Sequence, residues 1–296
     1  MTERIQNLHY FPVFVGGLEL KLEPLSPSIG TVVHGIDLSA PLAPEVVAFL
    51  RQLWLDRRVI FFRNQSLSPE TLIAAGRRFG PLNVHPIYKP LPGHPEILPV
   101  VKEAGDAMNI GNSWHSDVSF LEKPSMGSLL YAVEVPPYGG DTIFACQRLA
   151  YLGLSPEMQR MLGGMRAVHS DRILSSAASK KKRNAGRSTI LDERETPEVQ
   201  TIHPVVRTHP ESGAKHLYVN EAFTIAFEGM SEAESKPLLD YLYLHARTPE
   251  YTCRFRWEQG SVAFWDNRAV QHYALNDYQG FRREMWRVTV EGERPI

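Results

Sequence analysis

Two stretches place a histidine and an aspartate two residues apart: "WHSDVSF", with His115 and Asp117, and "VHSDRI", with His169 and Asp171. An imidazole and a carboxylate that converge can hold a divalent metal or move a proton. With 11 histidines and 10 aspartates in 296 residues, roughly 0.4 such triplets arise by chance, so the spacing alone decides nothing. The neighbours are more informative. In an extended chain residues i and i+2 share a face. A strand through residues 114–120 would point His115 and Asp117 to one side and Trp114, Ser116, Val118 and Phe120 to the other, so that one face meets an ion while the mostly apolar face packs. Around the second triplet, Arg166, Val168, Ser170 and Arg172 alternate with Ala167, His169 and Asp171, which leaves no clean apolar side, and the chain runs on into a basic segment where ligand geometry is hard to hold. The first triplet is the better metal candidate.

Two ligands rarely bind tightly, and "WDNRAVQHYA" supplies a third in His272. Two histidines and one carboxylate on one side of a metal leave three positions open, which suits ferrous iron that must accept a bidentate cosubstrate and oxygen; zinc would accept the same ligands. Taken alone, His272 reads more readily as an ordinary hydrogen-bonded histidine beside an Asp-Asn turn than as a ligand. In "FRREMWRVTV" the alternation puts Arg283, Met285 and Arg287 on one face and Glu284, Trp286, Val288 and Val290 on the other. Two guanidinium groups facing one cavity would receive carboxylate, sulfonate or sulfate; on a solvated sheet face they would do nothing.

The elements that must position these groups are legible in part. Val46, Val47, Leu50, Leu53 and Trp54 have the spacing of an amphipathic helix over Pro44–Arg57, which runs into "RVIFFR", an apolar run expected as a buried strand. Ser68-Pro69-Glu70 and Ser155-Pro156-Glu157 open two more helices, and Ser231 with Glu234 forms a capping box ahead of Leu238, Leu239, Leu242 and Leu244, with Pro237 blurring the boundary. Residues 114–135, "DTIFAC", "YTCRFRW", "SVAFWDN" and "REMWRVTV" read as strands between turn-forming residues. One antiparallel β core with helices and long loops around it, in a single domain spanning 1–296, is the expected architecture. Residues 170–201 contain "SKKKRNAGRS" and "LDERETPE" with few apolar positions and no period, and are expected as a mobile loop, either a lid or a solvated basic surface.

Composition narrows the partners. With 43% hydrophobic residues the chain can bury a large core, and 32 basic against 33 acidic residues create no global field toward nucleic acid or an anionic membrane. Its partner is expected to be a small molecule. Cys146 and Cys253 are far apart and outside any C-x-x-C pattern, which argues against a disulfide framework or a thiolate zinc site and fits a reducing cytoplasm. No targeting segment or membrane span is visible. Interface and core residues look alike in one sequence, so a homo-oligomer is left open.

Taken together, "WHSDVSF", "GGDT" at 139–142, "HPVVRTHPESG" at 203–213, "YVNEAF", "WDNRAVQHYA" and "RREMWRVT" resemble the Fe(II)- and 2-oxoglutarate-dependent dioxygenases of the taurine dioxygenase/2,4-dichlorophenoxyacetate dioxygenase family, from "IGTVVHGIDLS" to "VTVEG". The resemblance implies a mainly β, double-stranded β-helix (jelly-roll) core with helices, in which His115, Asp117 and His272 hold the iron. It implies that Arg283, eleven residues after His272, binds the far carboxylate of 2-oxoglutarate together with Thr142, and that Arg287 lies toward the substrate's anionic group. His85 and Tyr88 of "HPIY" resemble the histidine and tyrosine that contact taurine in taurine dioxygenases, and Phe223 of "VNEAF" matches a family pocket aromatic, which favours a sulfonate. The implied reaction consumes oxygen, converts 2-oxoglutarate to succinate and carbon dioxide, and hydroxylates a small anionic substrate beside a heteroatom so that the product falls apart.

Two departures leave the substrate open among taurine, alkyl sulfonates or sulfates, and aryloxyalkanoates. Gly111 stands where taurine-type enzymes carry asparagine, with Asn112 one place later, and Ser170-Asp171 and "GMSEAESKPLLDYLYLHARTPEYTCRFRW" look nearer to enzymes acting on alkyl sulfates or phenoxypropionates. Asp171 is either an amine ligand or an exposed loop acid. A zinc hydrolase using the same triad and a jelly-roll binding protein without chemistry are the rival classes.

Overall fold

The computed structural model describes residues 12–85, 88–185 and 197–296. Its first seven strands are β1 (Val13–Val15), β2 (Leu18–Pro24), β3 (Thr31–His34), β4 (Val59–Phe62), β5 (Leu82–Asn83), β6 (Leu98–Lys102) and β7 (Gly127–Glu134). Then come β8 (Thr142–Cys146), β9 (Arg166–Ser170), β10 (Gln200–Pro204), β11 (Val206–Thr208), β12 (Lys215–Leu217) and β13 (Thr224–Phe227). The last four are β14 (Thr252–Phe255), β15 (Val262–Asp266), β16 (Val270–Ala274) and β17 (Arg283–Val290). The helices are α1 (Pro44–Arg57), α2 (Pro69–Arg77), α3 (Gln147–Leu152), α4 (Pro156–Gly163), α5 (Arg172–Ser175), α6 (Ala177–Asn184) and α7 (Glu232–Ala246).

A nine-stranded sheet in the order β1-β2-β3-β4-β15-β7-β17-β5, with β6 also on β17, faces a three-stranded sheet β14-β8-β16, which makes the jelly-roll core. Among the described residues the strand pairings are antiparallel except β3 with β4. The large sheet is buried on both faces, so its central strands are continuous apolar runs rather than alternating ones. In β15, Val262 and Phe264 pack outward beneath α1 and α2, where Trp54 stacks on Phe264 at 4.5 Å. Ala263 and Trp265 of the same strand point inward and meet Phe144, Cys146, Phe255 and Val270 of the small sheet. In β4, Ile60 and Phe62 face outward and Val59 and Phe61 inward, with Phe61 stacked on Phe255 at 4.0 Å. A third apolar cluster joins α3, α4 and α7 to β11 and β13.

Local sequence signals account for the helix ends. Ser68, Ser155 and Ser231 each accept a hydrogen bond from the backbone three residues on, and Ser231 with Glu234 completes the capping box; Pro237 is accommodated inside α7. Both cysteines are buried free thiols. Among the described residues no helix is long and apolar enough to cross a membrane.

Two expectations are corrected. Residues 114–120 are not a strand: His115 makes an isolated bridge to His272, and 117–120 form a turn in which Val118 takes φ +46°. The Asp117 N–H leaves the ladder and donates to the Asn267 side chain instead, so the pleat ends there. The segment 170–201 is not a structureless loop, because α5 and α6 occupy its first half; residues 186–196 lie outside the described residues. Lys180 within the basic run is buried at 2%, so the run is not wholly a solvated face.

Candidate active site

The His115–His272 bridge fixes one edge of the site. The two residues exchange backbone hydrogen bonds of 3.2 and 2.9 Å, which brings their rings to 4.1 Å. The turn after His115 then swings Asp117 in front of both. Its Oδ1 lies 3.6 Å from His115 Nε2 and 3.9 Å from His272 Nε2, and one ligand atom from each of the three residues lies within 4.8 Å of the others. The convergence that a strand pleat was expected to supply is therefore produced by a bridge followed by a turn. A β-branched residue in the left-handed region costs on the order of 1–3 kcal/mol, and Val118 is held there by Phe120, Leu174 and Phe223.

The donor set fits a divalent metal. His115 Nδ1 donates to Ser113 O at 2.7 Å, which leaves Nε2 with its lone pair toward the cluster. Burial, with help from His115, pulls the His272 imidazole down from 6.5 to about 3, so it is neutral, the form a metal would require. Burial alone would raise the Asp117 carboxyl; the Arg287 guanidinium, donating to Oδ1 at 2.9 Å, and the two imidazoles more than offset this and hold it well below its usual range.

Beyond the cluster lies a second polar region. Arg283 is fully buried, and its Nε and Nη2 have no protein acceptor among the described residues. Burial lowers its affinity for the proton, which Tyr278 and Asp141 partly restore. Trp257 lies 5.7 Å from the guanidinium and donates Nε1–H to Thr142 Oγ1 at 3.0 Å. "GGDT" is explained by crowding here. Gly140 has φ +69°, and a side chain on it would press on Tyr278 and Arg283 at 3.2–3.4 Å. Buried guanidinium hydrogens without partners, beside a threonine hydroxyl, fit a carboxylate brought by a ligand. Sequence reasoning missed Lys102. It stands directly opposite Arg283 in the β6–β17 register, is 2% exposed, and holds its ammonium 4.5 Å from the Tyr278 ring, with no hydrogen-bond partner among the described residues. Only strand pairing, which one sequence does not specify, brings it there.

A pocket that includes His115 and Asp117 in its lining is also lined by His85, Tyr88, Phe223 and Arg287, all four named from the sequence, and by Ile173 and Leu174 of α5. His85 accepts from Tyr88 N at 3.2 Å through Nδ1, which assigns the proton of the neutral ring to Nε2. Burial and the adjacent Arg287 pull it down to about 3, so it is neutral across the physiological range. Gly111 lines this pocket at φ +85°, a conformation asparagine also tolerates.

The second triplet is structural. His169 is buried behind the metal turn, sharing a hydrogen bond with Ser119 at 3.0 Å, and its ring lies 5.3 Å from that of His203. Asp171 is not an exposed acid: it is buried and accepts from Val199 N at 2.9 Å. Burial holds His169 near 3 and His203 near 4. Below pH 6.5 the unfolded chain takes up protons that the folded chain refuses, so stability is lost as pH falls, by up to about 1.4 kcal/mol per unit for each group. Denaturant midpoints of the metal-free protein should drop between pH 6.5 and 5, and His169→Gln should flatten the slope; equal midpoints would contradict this.

The sequence model of the taurine catabolism dioxygenase TauD, TfdA family matches residues 21–289. The chain is 34% identical to the alpha-ketoglutarate-dependent sulfate ester dioxygenase of Pseudomonas putida, covering 94% of this chain and 92% of that one. It is 35% identical to the alpha-ketoglutarate-dependent 2,4-dichlorophenoxyacetate dioxygenase of Cupriavidus pinatubonensis, covering 90% and 96%. Its fold matches that of a taurine dioxygenase from Burkholderia xenovorans with a TM-score of 0.79 and 38% identity over 94% of this chain and 92% of that one. With the triad, the buried arginine and the jelly-roll in place, the chain belongs to the TauD/TfdA family of 2-oxoglutarate-dependent dioxygenases, which use Fe(II) and O2.

Proposed function

We propose that this chain oxidises a small organic anion of the alkyl sulfate or alkyl sulfonate type at the carbon next to the heteroatom. The observation that carries this reading is the composition of the pocket. Leu98, Val100, Ile110, Val118, Phe120 and Phe223 are among nine apolar residues that line it, around Arg287 and the neutral His85 donor. Asp117 is the sole carboxylate among the described lining residues, and as a metal ligand it has no capacity left for an ammonium group. An anion with an apolar tail suits these walls; the zwitterion taurine does not. The sulfate ester activity of the Pseudomonas putida relative supports the same choice.

On this reading His115 Nε2, Asp117 Oδ1 and His272 Nε2 hold the iron, and Arg283 with Thr142 receives the far carboxylate of 2-oxoglutarate. Arg287 and His85 Nε2–H receive the sulfate or sulfonate, and Tyr88 and Phe223 form walls. When bound, iron supplies oxygen activation coupled to loss of carbon dioxide from the cosubstrate, leaving succinate and a hydroxylated substrate. The protein's share is positional: it fixes one C–H near the metal and keeps that region dry. A hydroxyl on the carbon that bears sulfate expels sulfate as the aldehyde forms. The α5 residues Ile173 and Leu174 in the lining support the helical segment 172–184 as part of the cover of one catalytic unit. Two buried free thiols suit a cytoplasmic setting.

The test is succinate release by protein reconstituted anaerobically with Fe(II), then given oxygen, 2-oxoglutarate and one candidate at a time. Linear alkyl sulfates should stimulate release most, with the aldehyde and sulfate formed in equal amounts. A best response to taurine would refute the apolar-tail argument, and a best response to phenoxypropionate would shift the assignment to the aryloxyalkanoate branch. Hydrolysis without oxygen uptake would revive the zinc hydrolase.

A further inference from the structure

We infer that Ser128 and Asn267 form a directional relay that restricts Asp117 to one-oxygen coordination, and so keeps a third metal position open for oxygen. The inference rests on the iron-binding reading of the triad. Asn267 follows β15, and its Oδ1 accepts from both Trp265 Nε1 at 2.9 Å and Asp117 N at 3.3 Å. With its oxygen fixed by two N–H donors, the amide must turn Nδ2–H toward Ser128 Oγ, 3.2 Å away. Ser128 on β7 thus accepts from Asn267, and its single hydroxyl hydrogen is left to donate to Asp117 Oδ2 at 2.9 Å. Ser128 is 0% exposed and Trp265 and Asn267 each 1%, so no solvent can substitute along this chain.

The two carboxylate oxygens are thereby given different work. Oδ1 faces both His Nε2 atoms, while Oδ2 is turned away into the sheet. Bringing Oδ2 to the metal would break a buried, charge-assisted hydrogen bond and leave the hydroxyl of Ser128 without an acceptor. Three single-atom ligands leave about three positions of an octahedron, enough for a bidentate cosubstrate and oxygen. A carboxylate that closed on the metal with both oxygens would leave about two, which the cosubstrate alone would fill.

Ser128 is a positioning residue, and a count of metal-bound waters tests it without turnover. The probe is Mn(II), read by the broadening of its electron paramagnetic resonance in 17O-enriched water, with and without N-oxalylglycine, a non-reacting 2-oxo diacid mimic. Wild type should hold about three waters, and about one with the mimic present. Ser128→Ala should lose one water in each state and bind the mimic about 10-fold or more weakly. Ser128→Thr, which keeps the hydroxyl, should restore the wild-type count and controls for folding. A wild-type count in Ser128→Ala, with Mn(II) bound normally, overturns the relay alone. Failure of wild type to bind Mn(II) overturns the metal reading beneath it.

Discussion

Replacing His115 by alanine is expected to abolish iron-dependent turnover while leaving the fold intact. The separation of the two effects follows from how the residue is anchored. Its backbone N–H and C=O form the bridge to His272, and alanine keeps both. The ring itself contributes Nε2 to the candidate metal-binding group, one hydrogen bond to Ser113 O and contacts with His272 and Phe223. Two ligands remain, and the loss in iron affinity should exceed the 10- to 100-fold typical of removing a mere supporting group. Metal content after gel filtration, succinate release and the thermal midpoint together check this. Turnover equal to wild type in metal-controlled assays would remove His115 from the site.

Arg283→Met should produce two effects of opposite sign. The guanidinium is buried with no acceptor for Nε and Nη2 among the described residues, an arrangement that costs the folded state. A methionine of similar length removes that cost, and the cosubstrate-free protein should become more stable by about 1–3 kcal/mol in denaturant titrations. On the proposed reading the same change deletes the charge that receives the far carboxylate of the cosubstrate. Losing one partner of a buried charge pair costs roughly 2–4 kcal/mol, so the half-saturating 2-oxoglutarate concentration should rise by about 30- to 1,000-fold. The variant would be sturdier and nearly useless at ordinary cosubstrate levels, a trade-off expected wherever a site is prepared for a ligand it does not yet hold. An unchanged 2-oxoglutarate requirement would exclude Arg283 from that role; reduced stability would mean that the guanidinium has compensation within the protein.

What was legible in the sequence is what neighbouring residues decide among themselves. The helix over Pro44–Arg57 ends where its apolar period ends, the three serine caps are short-range hydrogen bonds, and β4 and β15 announce themselves by apolar runs and β17 by alternation. Arg283 and Arg287 share a face because a strand has period two, and both are turned inward rather than to solvent. The failures involve distant partners. Nothing in "WHSDVSF" announces that Asn267, 150 residues on, captures the Asp117 N–H and ends the pleat. Lys102 is invisible until β6 pairs with β17, and Ser128 until β7 pairs with β15. "WDN" has the composition of a turn beside His272, and its asparagine proves to be the centre of a hydrogen-bond network. Alternation of side chains within 170–201 carries no helical period, yet α5 and α6 form there, with Leu174 packed against Val118 and Phe223.

The placement of Arg283 and Arg287 on one strand makes that strand a gauge. Four residues of extended chain span about 13 Å, and β17 cannot stretch or slip because β6 and β7 grip it from both edges. If one arginine anchors the head of the cosubstrate and the other the head of the substrate, the two molecules are measured from fixed marks toward the same metal. A longer alkyl tail then has no means of moving the reacting carbon; it can only extend outward along the apolar wall. Members of a homologous series would differ in how tightly they are held, while the bond that breaks stays at the same count from the anionic head.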